Sequence, residues 1–207
     1  TVTAIILVFA LIIRLVAIPR FQIMPGRFQL LIEEWVGFFD NLASSNSPHR
    51  NRFLGNYVFT AGTYIFLGTL FELLGFQAVT TEGRSIAMPA PLADINGAIA
   101  MGFFSYGVIL SGGIAQNKLK GVGATLKEFS LPISMSFRLF GALLSGMLVT
   151  ELVYHFITLS FVLPVVVGVL FTVLHALVQT YVLTMLTSVY YGEVTEVRSE
   201  ERTSELQ

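Results

Sequence analysis

The chain has 207 residues, of which 54% are hydrophobic and only 12% charged, and its mean hydropathy is +0.75. A soluble domain of this length would carry about twice that charge on its surface, and a net charge of -1 excludes the basic face that nucleic acid requires. The lack of Cys excludes disulfides, thiolate metal sites and cysteine nucleophiles, so the class that remains is an integral protein of the lipid bilayer.

The chain begins with Thr1 rather than Met, so a preceding segment is expected, and no cleavable signal is visible. A spanning helix needs roughly 20 apolar residues. The charge-free stretches place five spans, at about 2–18, 53–76, 95–117, 132–160 and 164–191. The first carries Arg14 near its end, where a guanidinium can snorkel to the interface. Residues 26–43 read differently. Phe28, Leu31, Ile32, Trp35, Phe38, Phe39 and Leu42 recur at three and four, with Glu33, Glu34 and Asp40 off that stripe. This is the pattern of an amphipathic helix lying at the cytoplasmic surface.

Leu152 to Gly192 holds 41 residues without a charge, too many for one crossing, and Pro164 divides it. The 29 residues of the fourth span would be ~43 Å long, against roughly 30 Å of hydrocarbon. The last two spans therefore read as a long, strongly tilted hairpin. Residues 193–207 are polar and acidic and read as a frayed cytoplasmic tail. The expected fold is all-α: one membrane domain over 1–192, with five spanning helices and one interfacial helix.

Five spans put the loops at 19–52 and 118–131 on the same side as the C-terminus. Those loops hold Arg20, Arg27, Arg50, Arg52, Lys118, Lys120 and Lys127, and the opposite side holds only Arg84. Positive charge marks the cytoplasmic side. The N-terminus is expected outside and the C-terminus in the cytoplasm.

No internal repeat, phosphate-binding loop, dinucleotide fingerprint, GxSxG or HExxH is present. Nothing in the sequence calls for a cofactor or a metal. The informative residues are the polar ones inside the last two spans. Arg138 has Ser134, Met135, Gly141 and Ala142 at its helical neighbour positions, so no carboxylate lies within one turn. Its partner must come from another helix or another chain, the plain alternative being a structural Arg bonded to carbonyls. Ser134, Gly141, Ala142 and Ser145 form a small stripe around it, and small residues let another helix approach closely. Glu151 lies about 140° around the helix from Arg138, and His155 follows it at i+4. His155 is equally readable as an interfacial residue. Thr172, His175 and Gln179 form a polar stripe on the last span, and such groups usually face a bundle interior or water.

With these residues assembled, the chain resembles subunit a of the F-type ATP synthase. SMSFRLFGALLSG (134–146) is similar to the family's helix with its essential Arg, which falls on Arg138. LHALVQTYVLTMLTSVY (174–190) is similar to its last helix, with the family's Gln on Gln179. PGRFQLLIEEWVGFF (25–39) and PLADIN (91–96) are similar to the surface helix and to the loop entering the third span. Three positions depart from the family pattern. Ala142 stands where Asn is frequent, Met147 where Glu or His is common, and Thr172 where His or Glu is common. Glu151 and His175 sit one turn beyond the last two.

The resemblance implies an ion-translocating stator beside a rotating ring of c subunits, held by the peripheral stalk b subunits within the ATP synthase complex. It also implies two half-channels, with no nucleotide site on this chain and no enzyme activity of its own. Arg138 would ionise each passing ring carboxylate, with Gln179 orienting the guanidinium or bonding the carboxylate. Glu151, His155 and His175 would line one half-channel, with Glu72 and Asp94 near its outer mouth. Whether Glu151 meets His175 depends on the hairpin turn. A turn near residue 162 makes them level, and one near 159 separates them. The ion is the proton, with sodium the alternative given Met147. The PGRFQ segment and the charge polarity point to a bacterial inner membrane rather than an organelle. The competing function is a stand-alone secondary transporter or channel.

Overall fold

A computed structural model of the chain describes residues 2–22, 25–47, 51–73, 77–79, 85–87, 90–127, 129–155 and 163–204. Among the described residues there are six α-helices: α1 (Val2–Ile12), α2 (Arg27–Asn46), α3 (Asn51–Leu73), α4 (Ile95–Lys127), α5 (Ser130–His155) and α6 (Leu163–Ser204). One element goes beyond the sequence expectation. Strands β1 (Gln77–Val79) and β2 (Ser85–Ala87) pair antiparallel between α3 and α4, with Gln77 opposite Ala87. Pairing there satisfies backbone groups that a bare connection would leave open.

Three helical stretches among the described residues are long and apolar enough to cross a membrane: Val2–Arg20, Ile95–Ala115 and Gly168–Thr195. Helices satisfy every backbone group internally, which is what hydrocarbon demands. Large apolar side chains lie exposed along them, including Leu7, Phe9, Leu15, Phe104, Leu170 and Leu174. This is an all-helical membrane fold with one small hairpin, and its outer surface suits lipid, not water.

α3 to α6 pack together, with α2 laid along α3 and α6. One core cluster joins Ile65, Ala98, Met135, Leu139 and Leu183, and a second joins Phe39, Leu54, Val58, Ile109 and Tyr191. Polar pins fix the helices in pairs. The Tyr57 and Ser105 hydroxyls bond at 2.6 Å between α3 and α4. The Trp35 indole donates to Thr63 Oγ1 at 3.0 Å between α2 and α3. Thr3 and Tyr64 bond at 3.0 Å between α1 and α3. Close approach uses glycine twice with particular effect. A Cβ on Gly102 would strike Ser136 and meet the Pro132 carbonyl at 2.6 Å, and one on Gly112 would strike the Tyr191 ring. α4 can touch α5 and α6 this closely only because those side chains are absent.

Two boundaries differ from the sequence expectation. α4 continues ten residues past 117, to Lys127. α6 runs past 192 to Ser204, and Val194 and Thr195 are buried. No Pro or Gly follows Gly192 in the described helix, and Glu and Arg are good helix formers. Along α2, Trp35, Phe39, Leu42 and Ala43 face the bundle, whereas Phe28, Leu31 and Phe38 remain exposed. The bundle thus covers only half of the predicted stripe.

Candidate functional site

The site begins at the N-terminal turn of α5. Pro132 sits in that first turn, where a missing N–H costs nothing. Leu131, Met135 and Leu139 then point inward and fix the helix's rotation. That rotation leaves Ser134, Arg138, Gly141 and Ser145 exposed, with Ala142 half-buried beside them. A Cβ on Gly141 would meet nothing within 4 Å. The Ser145 hydroxyl donates to the Ala142 carbonyl at 2.8 Å and asks for no further partner. Arg138 forms no hydrogen bond or ion pair with any described residue. The stripe is smooth, open and carries one unpaired cation, flanked by exposed Phe137 and Leu148.

The register of α5 against α6 follows from one contact. A Cβ on Gly146 would lie 3.6 Å from Phe171 Cδ1, so positions 146 and 171 face each other. The two helices run antiparallel, so eight residues back from Gly146 and eight forward from Phe171 bring Arg138 level with Gln179. Leu139 and Leu183 lie in the same core cluster between the two helices. The two residues differ in exposure: Arg138 faces outward, while Gln179 is buried, 6% exposed. The hairpin turn, 156–162, lies outside the described residues.

The remaining candidates divide. His175 is half-buried, stacked on Phe171 with centroids 4.6 Å apart, and its Nδ1 lies 3.0 Å from the Phe171 carbonyl. Thr172, one turn before it along the stripe, is half-buried as well. Asp94 is exposed and caps α4. Its carboxylate accepts the Asn96 N–H at 3.2 Å, and its carbonyl accepts the Ala98 N–H at 3.0 Å. Glu151 and His155 lie on the last turns of α5, and Glu72 near the end of α3. The side chains of these three are outside the described residues.

The profile of the ATP synthase A chain family matches residues 1–192. ATP synthase subunit a of Cereibacter sphaeroides is 30% identical over 183 residues, spanning 83% of this chain and 70% of that protein. ATP synthase subunit a of Histophilus somni is 27% identical over 206 residues, spanning 81% of this chain and 76% of that protein. The chain belongs to the ATP synthase A chain family.

As a member of the A chain family, it is a membrane subunit of the ATP synthase and not an enzyme on its own. One feature of the site escaped sequence reasoning. Beyond Gln179, the inner face of α6 carries Thr180, Thr184, Thr187, Ser188 and Thr195, all buried. The hydroxyls of Thr184, Thr187, Ser188 and Thr195 each bond a carbonyl four residues back. The Thr180 hydroxyl, next to Gln179, is buried without a partner. The spacing of these residues at three and four was the available signal. Their hydroxyls pack as small apolar-like groups once the helix satisfies them, which is why composition alone did not mark them as core.

Proposed function

We propose that the chain is the ion-translocating stator of a rotary F-type ATP synthase, and that Arg138 is the residue its ring partner must pass. The observation that carries this reading is an exposed guanidinium, without a described partner, on a stripe of small residues. In hydrocarbon, an Arg costs at least ~2.5–3.5 kcal/mol even on lenient insertion scales. A carboxylate on a second chain offsets that cost. At ~4 Å and an effective dielectric near 20, the pair gains about 4 kcal/mol. A protonated carboxyl arriving at Arg138 therefore releases its proton and ionises, and it must be neutralised again before it re-enters lipid. The same cation repels free ions and blocks a direct leak. Gln179, level with Arg138 and without a hydrogen bond to a described residue, serves to bond the guanidinium or the carboxylate.

The stripe Ser134, Gly141, Ala142 and Ser145 is the surface offered to the c ring, and peripheral stalk b subunits hold the stator still. Five spans, with α3 and α5 crossing in addition to the three apolar stretches, put the N-terminus outside and the C-terminus in the cytoplasm. α2 then rests at the cytoplasmic interface, its exposed Phe28, Leu31 and Phe38 facing lipid. The membrane is a bacterial inner membrane. Glu151 and His155 serve one half-channel, with Glu72 towards its outer mouth. If Gly146 and Phe171 are taken as level, Glu151 falls opposite position 166, nine residues or ~13 Å from His175. That offset supports separate roles for the two. The translocated ion is the proton. Met147, where the family commonly has an acid or His, keeps sodium as the alternative, and sodium stimulation of ATP hydrolysis distinguishes them.

The decisive experiment is Arg138→Ala in the assembled complex. Ion-driven ATP synthesis is lost while the soluble head still hydrolyses ATP. Normal coupled synthesis in that variant overturns the assignment. A stand-alone transporter would instead move ions without a c ring, so flux by the purified chain alone in vesicles would support that alternative.

A further inference from the structure

The elbow between α1 and α2 forms an open cleft of about 420 Å³ with a mixed lining. Its lining combines apolar Val16, Phe21 and Phe28 with Arg20, Gln22 and Gln29. The elbow is built in three steps. α1 passes into a π-helical turn at Ile13–Ala17 and then a 3-10 turn at Ile18–Arg20 containing Pro19. Gln29 then braces the extended chain at Gln22: its Oε1 accepts the Gln22 N–H at 3.0 Å, and its Nε2 donates to the Gln22 carbonyl at 2.9 Å. Gln29 Nε2 also donates to Glu33 Oε1 at 2.7 Å. The Gln29 side chain is thus spent on holding the backbone at Gln22 and on the Glu33 carboxylate, while the exposed Gln22 amide side chain stays available beside Arg20 in the cavity wall.

The charge left for a ligand is positive. Arg20 is exposed, lines the cavity and forms no ion pair or hydrogen bond with a described residue. Arg27, at the first position of α2 and next in the chain to the cavity-lining Gly26, is also exposed and without a described partner. The apolar stretch Val2–Arg20 ends at this point, so the cavity lies where hydrocarbon gives way to headgroups. A free inorganic anion would leave the apolar wall uncovered, and an uncharged lipid would leave Arg20 unpaired. An amphiphile with a phosphate at one end satisfies both.

We propose that this elbow binds an anionic glycerophospholipid, its phosphate on Arg20 and an acyl chain along Val16, Phe21 and Phe28. Basic pockets at the membrane interface suit such headgroups, and π-turns recur at functional sites. The site is separate from Arg138 and stands whether or not the stator reading does.

The test is native mass spectrometry of the full chain, purified in detergent, delipidated and offered phosphatidylglycerol or phosphatidylcholine. The chain retains phosphatidylglycerol in preference. Arg20→Gln lowers that preference about five-fold, the worth of one interfacial cation. Val16→Trp fills the cavity and lowers retention of the bound lipid without a charge change. Arg52→Gln, a charge removed elsewhere, leaves the preference unchanged. Equal retention of the two lipids overturns the proposal, as does a preference that survives both Arg20→Gln and Val16→Trp. Displacement of the lipid by millimolar inorganic phosphate would mark a plain anion site and overturn it as well.

Discussion

Arg138 and Gln179 stand level on neighbouring helices yet meet opposite surroundings, one exposed and one buried. A residue's type set its cost in lipid, but the rotation of its helix set who could satisfy it. Asp94 makes the same point from the other direction. The resemblance implies a place for it near the outer mouth of an ion path, and in the fold its carboxylate also caps α4. Asp94→Ala should therefore lower thermal stability by about 1 kcal/mol; a drop in ion flux with no loss of stability would contradict the capping role. Tyr57→Phe removes the 2.6 Å bond to Ser105 and should cost about 1 kcal/mol. Ser105 keeps its bond to the Met101 carbonyl, so the loss should stay near that value in a detergent melt. Glu151→Gln should slow ion flux without abolishing it, and an unchanged rate would remove Glu151 from the path.

At the scale of elements, glycines separate contacts within the chain from those offered to a partner. Gly102 is closed against α5 and Gly141 is open. Gly102→Val should cost about 1–3 kcal/mol or more through overpacking, read as a lower melting temperature of the purified chain. Gly141→Leu should leave that temperature nearly unchanged, or raise it, since a helical glycine is itself unfavourable by about 1 kcal/mol. Under the proposed function it should nonetheless impair assembly with the proposed c-ring partner, measured by co-purification. Equal destabilisation of the isolated chain by both substitutions would mean that the stripe packs internally. The helices themselves were largely legible: α1, α3, α4, α5 and α6 each overlap an expected span. The hairpin at 77–87 was not, because three-residue strands carry too few residues to show a period. The helical run from 193 to 204 was hidden by its polarity, since charge reads as solvation whether or not the backbone stays helical.

At the scale of the whole molecule, the proposed topology rests on the uneven distribution of a few charges. A chain without Cys allows a direct check with single introduced cysteines. Lys118→Cys should react with an impermeant thiol reagent from the cytoplasmic side only, and Arg84→Cys from the opposite side only. Labelling of both from one face would overturn the five-span topology. The two core clusters draw on α2, α3, α4, α5 and α6. α1 contributes little burial beyond Val2 and Ile6, which leaves its other faces to lipid or to a neighbouring subunit.

The sequence by itself determined the solvent, the approximate helices, the family and the one charge that lipid makes conspicuous. Those follow from composition and spacing, because hydrocarbon penalises each polar group wherever its helix packs. Tertiary structure decided which face of α5 stayed open, which residue stood level with Arg138, and that Asp94 caps a helix. Helix rotation and register are set by close contacts between residues far apart in the chain, such as Gly102 with Pro132 and Gly146 with Phe171. A single helix's periodicity holds no record of them.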